Sequence, residues 1–298
     1  MYKRASRRGS LYKILFFYIA NVKGKKTMNI GINSLLKFRT NLLLKIQRKI
    51  HRYSKSKNEN ELKLPLAIYY RISDAGYAKT KPPYINNENC LRNAVKNFPI
   101  DSCKWTIIAD NCSNETMQMI KKYIPEQYIH AVSVGHGAGT FRLAYQMALE
   151  LDNNTPIYFL ENDYLHKSGS HEVLLDGLSQ PYSYVTLYDH PDKYDNKHFA
   201  VENGGEKTRV LIGKYSHWKI AHSTTMTFAS KVKTLKQDLT IFDRWTQTKH
   251  PYDCQIFVEL ARKKHLVISS LPAFSTHGET AFLAPLVEWE KIALESCV

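Results

Sequence analysis

Between residues 64 and 165 the chain alternates two hydrophobic rhythms. Unbroken apolar runs of strand length, LPLAIYYRIS (64–73), KWTIIADN (104–111), IHAVSVG (129–135) and PIYFLEND (156–163), predict four strands. Between them, NNENCLRNAVKNFP (86–99), SNETMQMIKKYI (113–124) and GAGTFRLAYQMALEL (137–151) repeat apolar residues at helical spacing. Ser113 or Asn114 ahead of Glu115 supplies an N-cap signature. This strand–helix alternation predicts an α/β fold with a mostly parallel central sheet flanked by helices. In such sheets ligands bind beyond the carboxyl ends of the strands. Polar residues collect there: Arg71, Ser73 and Asp74; Asp110 and Asn111; Gly135 to Gly137; Glu161, Asn162 and Asp163. After Leu165 the rhythm shortens. SYVTLYD (183–189), TRVLIG (208–213) and WKIAHSTTMTFAS (218–230) are strand candidates, and HPDKYDNKHFAVENGGEK (190–207) is a long excursion. A helix is expected from about Lys231 and another from Pro251, before LVISSLPAFSTHGE (266–279) and a short tail.

The charge is distributed unevenly. The net formal charge is +15, and residues 1–60 hold 16 Lys and Arg against one acid, so the remaining 26 basic and 26 acidic residues balance. A groove for nucleic acid would place positive charge on the folded body, so no nucleic-acid partner is expected. Residues 1–60 are read as a basic N-terminal extension with a polar linker, and 61–298 as the folded body. NSLLKFRTNLLLKIQRKIHRY (33–53) has the pattern of a basic amphipathic helix, suited to an anionic membrane surface and equally to packing on the body. LYKILFFYIANV (11–22) has an apolar core of about nine residues, too short to span a bilayer. Five cysteines without a CxxC pair suggest reduced thiols. The expected location is cytoplasmic, with the extension peripheral on the cytoplasmic face of a membrane.

Two acids closing a buried strand at Glu161 and Asp163 are the type of group that holds a hard divalent cation. Their plainer reading is a charged strand end at the surface. GHGAG (135–139) lacks the GK[ST] of a P-loop. Asp110 also suits an Asx turn, and Asp253 in PYDCQIF (251–257) suits the positive end of a helix dipole.

Taken together, IIADNCSNET, GHGAGTFRLAYQMAL, YFLENDY, PYDCQIF and STHGE, in this order over roughly residues 64 to 280, resemble glycosyltransferases of the GT-A fold in the family-two-like style. That resemblance implies a Rossmann-like nucleotide-binding half (61–165) and an acceptor-binding half (166–298). It implies transfer of a sugar from a nucleotide-diphosphate sugar, UDP-linked by expectation, to a hydroxyl on a glycan or lipid-linked acceptor, within surface-polysaccharide biosynthesis. By the same likeness, Asp110 matches the acid that contacts the nucleotide base, with Arg71, Ser73, Asn111, Gly137 and Asn162 around the donor. Glu161, Asp163 and His277 match the ligands of Mn²⁺ or Mg²⁺, and Asp253 matches the general base. The sequence departs from the family in having Glu-Asn-Asp where Asp-X-Asp is usual, and Tyr252-Asp253 where a Glu-Asp pair is usual. A nucleotidyltransferase, or a catalytically inactive binding protein on the same fold, is the alternative.

Overall fold

A computed structural model of the protein describes residues 64–75, 79–195, 201–202 and 205–296. The basic extension and the amphipathic helix expected in it lie outside the described residues. The first half follows the predicted alternation: β1 (Leu66–Ser73), α1 (Asn87–Asn97), β2 (Cys103–Asp110), α2 (Asn114–Tyr123), β3 (Ile129–Val132), α3 (Gly137–Leu149) and β4 (Pro156–Glu161). Each of the three helices begins on a side-chain cap. Asn86 accepts from Asn89 N–H, Ser113 from Thr116 N–H, and His136 Nδ1 from Gly139 N–H. The third cap was invisible to a Ser/Thr/Asp/Asn rule.

The second half supplies β5 (Tyr164–His166), α4 (Ser170–Ser179), β6 (Tyr184–Thr186), β7 (Val201–Glu202), β8 (Gly205–Glu206), β9 (Val210–Ile212), β10 (His217–Ala221) and β11 (Phe228–Lys231). Then come α5 (Val232–Trp245), α6 (Asp253–Arg262), β12 (Val267–Leu271), β13 (Ser275–His277) and α7 (Trp289–Glu295). Helices α4 and α7 were not foreseen, nor was β5. The run WKIAHSTTMTFAS is two strands rather than one, and they take distant places in the sheet.

The main sheet runs β3-β2-β1-β4-β11-β6-β12-β10-β9. Strands β3, β2, β1 and β4 are parallel, as are β6 and β12, while β11 and β10 run against their neighbours. By direction the sheet is therefore mostly parallel. It is covered on both faces. Leu66, Ile68, Tyr70 and Ile72 of β1 join Tyr158 and Leu160 of β4 in one core with α1 and α4. Their alternates Ala67, Tyr69, Ile157 and Phe159 enter the other core, with residues of α3, α5 and α6. This two-sided burial explains why these strands appear as continuous apolar runs.

The chain order reverses between β1 and β4, which opens a crevice at their carboxyl ends. Register places Arg71 opposite Glu161 there, and Ser73 opposite Asp110 one strand further on. Strands β13 and β5 pair antiparallel in a separate ribbon that brings His277 opposite Tyr164. Among the described residues no helix is long and apolar enough to cross a membrane.

Candidate functional site

Arg71 ties the crevice together. Its guanidinium is buried, with Nη2 3.1 Å from Glu161 Oε1, Nη1 donating to Gly137 O at 3.1 Å, and its centre 5.5 Å from the Phe141 ring centroid. One side chain thus links β1, β4 and the start of α3. Thr227 Oγ1 donates to Glu161 Oε2 and accepts from Glu161 N–H, both at 3.2 Å. Glu161 is therefore held by its own chain on both oxygens.

Two residues on, Asp163 is buried and lies under two lysines and a histidine. Its Oδ2 is 3.0 Å from Lys81 Nζ, 3.4 Å from His277 Nε2 and 3.8 Å from Lys79 Nζ. Burial opposes its charge, but these three neighbours outweigh that and hold the carboxyl far below the usual range. Asn162 between the two acids turns the other way, donating to Asn87 Oδ1 at 2.6 Å and to Ser73 O at 3.4 Å.

Asp110 organises the turn into α3. Oδ1 accepts from Val134 N–H at 2.6 Å, and Oδ2 accepts from Gly135 N–H at 2.9 Å. Gly135 has φ +80°, which an L side chain rarely adopts, and Gly139 sits where a Cβ would meet Val134 Cγ1 at 2.4 Å. Asn111, also at positive φ, accepts from Ser133 Oγ at 2.6 Å. The polar groups of Asp110, Asn111 and Gly137 proposed for the donor are thus already engaged within the protein, which shapes the crevice floor.

Across the crevice, Asp253 opens α6. Burial is the main cause that raises its pKa from 3.8 to about 6; the Cys254 N–H and Lys193 oppose the rise, while Glu161 and Asp192 add to it. Asp253 therefore lies within the electrostatic reach of both the β4 end and the 190s segment. Lys193 is buried there, 3.2 Å from Asp192 Oδ1 and donating to Ser223 Oγ at 2.8 Å. Beside it the buried Lys219 ammonium sits 2.7 Å from Asp189 Oδ1 and 3.5 Å from Glu206 Oε2. Lys81, Thr227, Lys193 and Asp192 were not singled out in the sequence. A Lys-Thr-Lys triplet just past a strand end was the available signal for the first.

His277 stands against Asp163. His166, by contrast, is fully buried, edge-on to Phe98 and Tyr158, with its pKa pushed down to about 3 by burial.

A divalent cation does not fit this arrangement of side chains. Asp163 Oδ2 already contacts three basic groups and Glu161 a fourth. Among the described residues no group of three or more His, Cys, Asp or Glu could hold a metal.

No protein-family model matches the chain, and no curated protein matches it. Solved structures do. The galactosyltransferase LgtC, solved with donor and acceptor sugar analogues, is 9% identical over 68% of this chain and 72% of its own, with a TM-score of 0.40. GalNAc-T7, solved with UDP, GalNAc and Mn²⁺, is 10% identical over 70% of this chain and 42% of its own, with a TM-score of 0.46. A 4-diphosphocytidyl-2C-methyl-D-erythritol synthase from Anaerococcus prevotii is 12% identical over 78% of this chain and 95% of its own, with a TM-score of 0.41. With every score below 0.5, the likeness carries nothing about chemistry. The chain is similar to GT-A glycosyltransferases, at a distance that leaves its chemistry to its own residues.

Proposed function

We propose that the protein is a glycosyltransferase that moves a sugar from a nucleotide-diphosphate sugar, a UDP-sugar in the first instance, to a hydroxyl of a glycan or lipid-linked acceptor. Residues 61–165 would hold the nucleotide and 166–298 the acceptor, with the basic extension available to an anionic membrane surface. The observation that carries this reading is Asp253, a carboxyl raised to about 6 within the field of the charged β4 end. A base works best with a pKa near the operating pH, where it is both ionised and able to accept a proton. In the transfer, the acceptor oxygen bonds the sugar's anomeric carbon and its proton passes to Asp253. The bond from that carbon to the diphosphate oxygen breaks, and its electron pair leaves with the nucleoside diphosphate. Lys193 and Asp192, held against Ser223 and His190, supply polar groups beside the base for an acceptor hydroxyl.

The test is release of nucleoside diphosphate from a panel of nucleotide sugars in the presence of mixed saccharide acceptors. Wild type is expected to release it from one donor, and Asp253→Asn about 10² to 10⁴-fold more slowly. Release of pyrophosphate from a nucleoside triphosphate and a sugar phosphate would instead identify a nucleotidyltransferase. Silence with all donors would support a binding protein.

A further inference from the structure

The acids at the end of β4 mark the place where a divalent ion was expected, yet the charge there has the opposite sign to a cation trap. Arg71, Lys79 and Lys81 stand against Glu161 and Asp163, three positive charges to two negative in direct contact. A dication would have to displace two ammonium groups from Asp163 and enter a positive field, whereas an anion would be drawn to the same spot.

The lysines are built into the site. Asp163 is 9% exposed at its side chain, while the Lys79 and Lys81 side chains are 28% and 31% exposed, so the carboxylate is the deeper group and the lysines are partly open to solvent. Thr80 between them is anchored: its carbonyl accepts from Thr280 N–H at 2.9 Å and from Thr280 Oγ1 at 3.0 Å. That ties the lysine segment to the turn after β13, the strand that carries His277. Gly278 lets this turn press onto Asp163, since a Cβ there would stand 2.8 Å from Asp163 O and 2.3 Å from Ile85 Cγ2. Lys79 Nζ is also 3.0 Å from His277 Nε2, its nearest partner, while Lys81 is held by Asp163; each ammonium has three donors, which these contacts do not exhaust.

We infer that Lys79 and Lys81, held by His277 and Asp163, form a diphosphate-binding subsite that takes the electrostatic role expected of a divalent ion. The inference rests on the nucleotide-sugar reading above and changes its chemistry. As the bond to the sugar breaks, the negative charge gathering on the diphosphate meets two preorganised ammonium groups, which together carry the formal charge of a dication. Asp163 then serves as a positioning residue for the lysines.

The experiment is calorimetric titration of the full chain with UDP, in EDTA and then with MnCl₂. It is run on wild type, on Lys79→Ala/Lys81→Ala, and on Lys79→Arg/Lys81→Arg, with a thermal melt of each variant. Wild type is expected to bind UDP in EDTA, with Mn²⁺ tightening binding less than about threefold. The double alanine variant should bind at least about tenfold more weakly with or without Mn²⁺, and the arginine variant should recover most of the affinity. UDP binding that needs Mn²⁺ and survives the alanine substitutions would overturn the lysine subsite while leaving the donor reading standing. Absence of UDP binding in both conditions would overturn the donor reading and the subsite together.

Discussion

Replacing Asp253 by Asn separates two consequences of one half-buried carboxyl. Burial, with the negative charges of Glu161 and Asp192, raises its pKa from 3.8 to about 6 in the folded protein. At about 1.36 kcal/mol per pH unit this gap is worth about 3 kcal/mol. The sign follows from proton counting. Between pH 4 and pH 6 the unfolded chain has released this proton and the folded protein has kept it. Ionised Asp253 is thus a cost to folding. Stability from this residue is full below pH 4, declines as pH rises through 6, and is level above that. Asn does not titrate, so the stability of the variant relative to wild type should climb by about 3 kcal/mol from pH 4 to pH 7. This climb does not depend on any fixed offset from the substitution. In a folded body of this size that widens the gap in Tm by about 6 to 12 °C in favour of Asn. Thermal unfolding followed by circular dichroism at half-unit pH steps measures it directly. Under the proposed base role, transfer by the wild type should fall about tenfold per pH unit below pH 6, since only ionised Asp253 could accept the acceptor's proton. A Tm difference that stays constant from pH 4 to pH 8 would refute the argument, since it would mean that Asp253 ionises as readily folded as unfolded.

The turn between β3 and α3 gives two further expectations. Asp110→Ala leaves the N–H groups of Val134 and Gly135 without their acceptor and should cost about 2 to 4 kcal/mol in urea unfolding, with Asp110→Asn losing less because it keeps one acceptor oxygen. Gly139→Ala would normally favour a helix by about 1 kcal/mol. Here its Cβ would meet Val134 Cγ1 at 2.4 Å and His136 Cε1 at 2.7 Å, so the same unfolding experiment should show a loss of about 1 to 3 kcal/mol instead.

The sequence by itself determined the strand–helix alternation of the first half. Strands buried on both faces must be apolar throughout, and the helices between them must be apolar on one stripe, so both rhythms are written locally. It also placed polar residues at the ends of β1, β2 and β4, because a chain leaving a core meets solvent there. The second half was less legible. Its strands are short, and WKIAHSTTMTFAS gave no sign that its two parts would lie on either side of β6 and β12. Only the tertiary structure decided which charges meet. Arg71 reaches Glu161 because β1 and β4 are neighbours across a reversal of strand order. Lys81 and His277 reach Asp163 because β13 pairs with β5 and its turn anchors Thr80. Ion pairs between residues about 80 to 115 positions apart in sequence depend on that order of strands, which no local pattern carries. The pKa of Asp253 is likewise a property of everything packed around it: a carboxyl at a helix start is ordinary, and desolvation with Glu161 and Asp192 nearby raises this one to about 6.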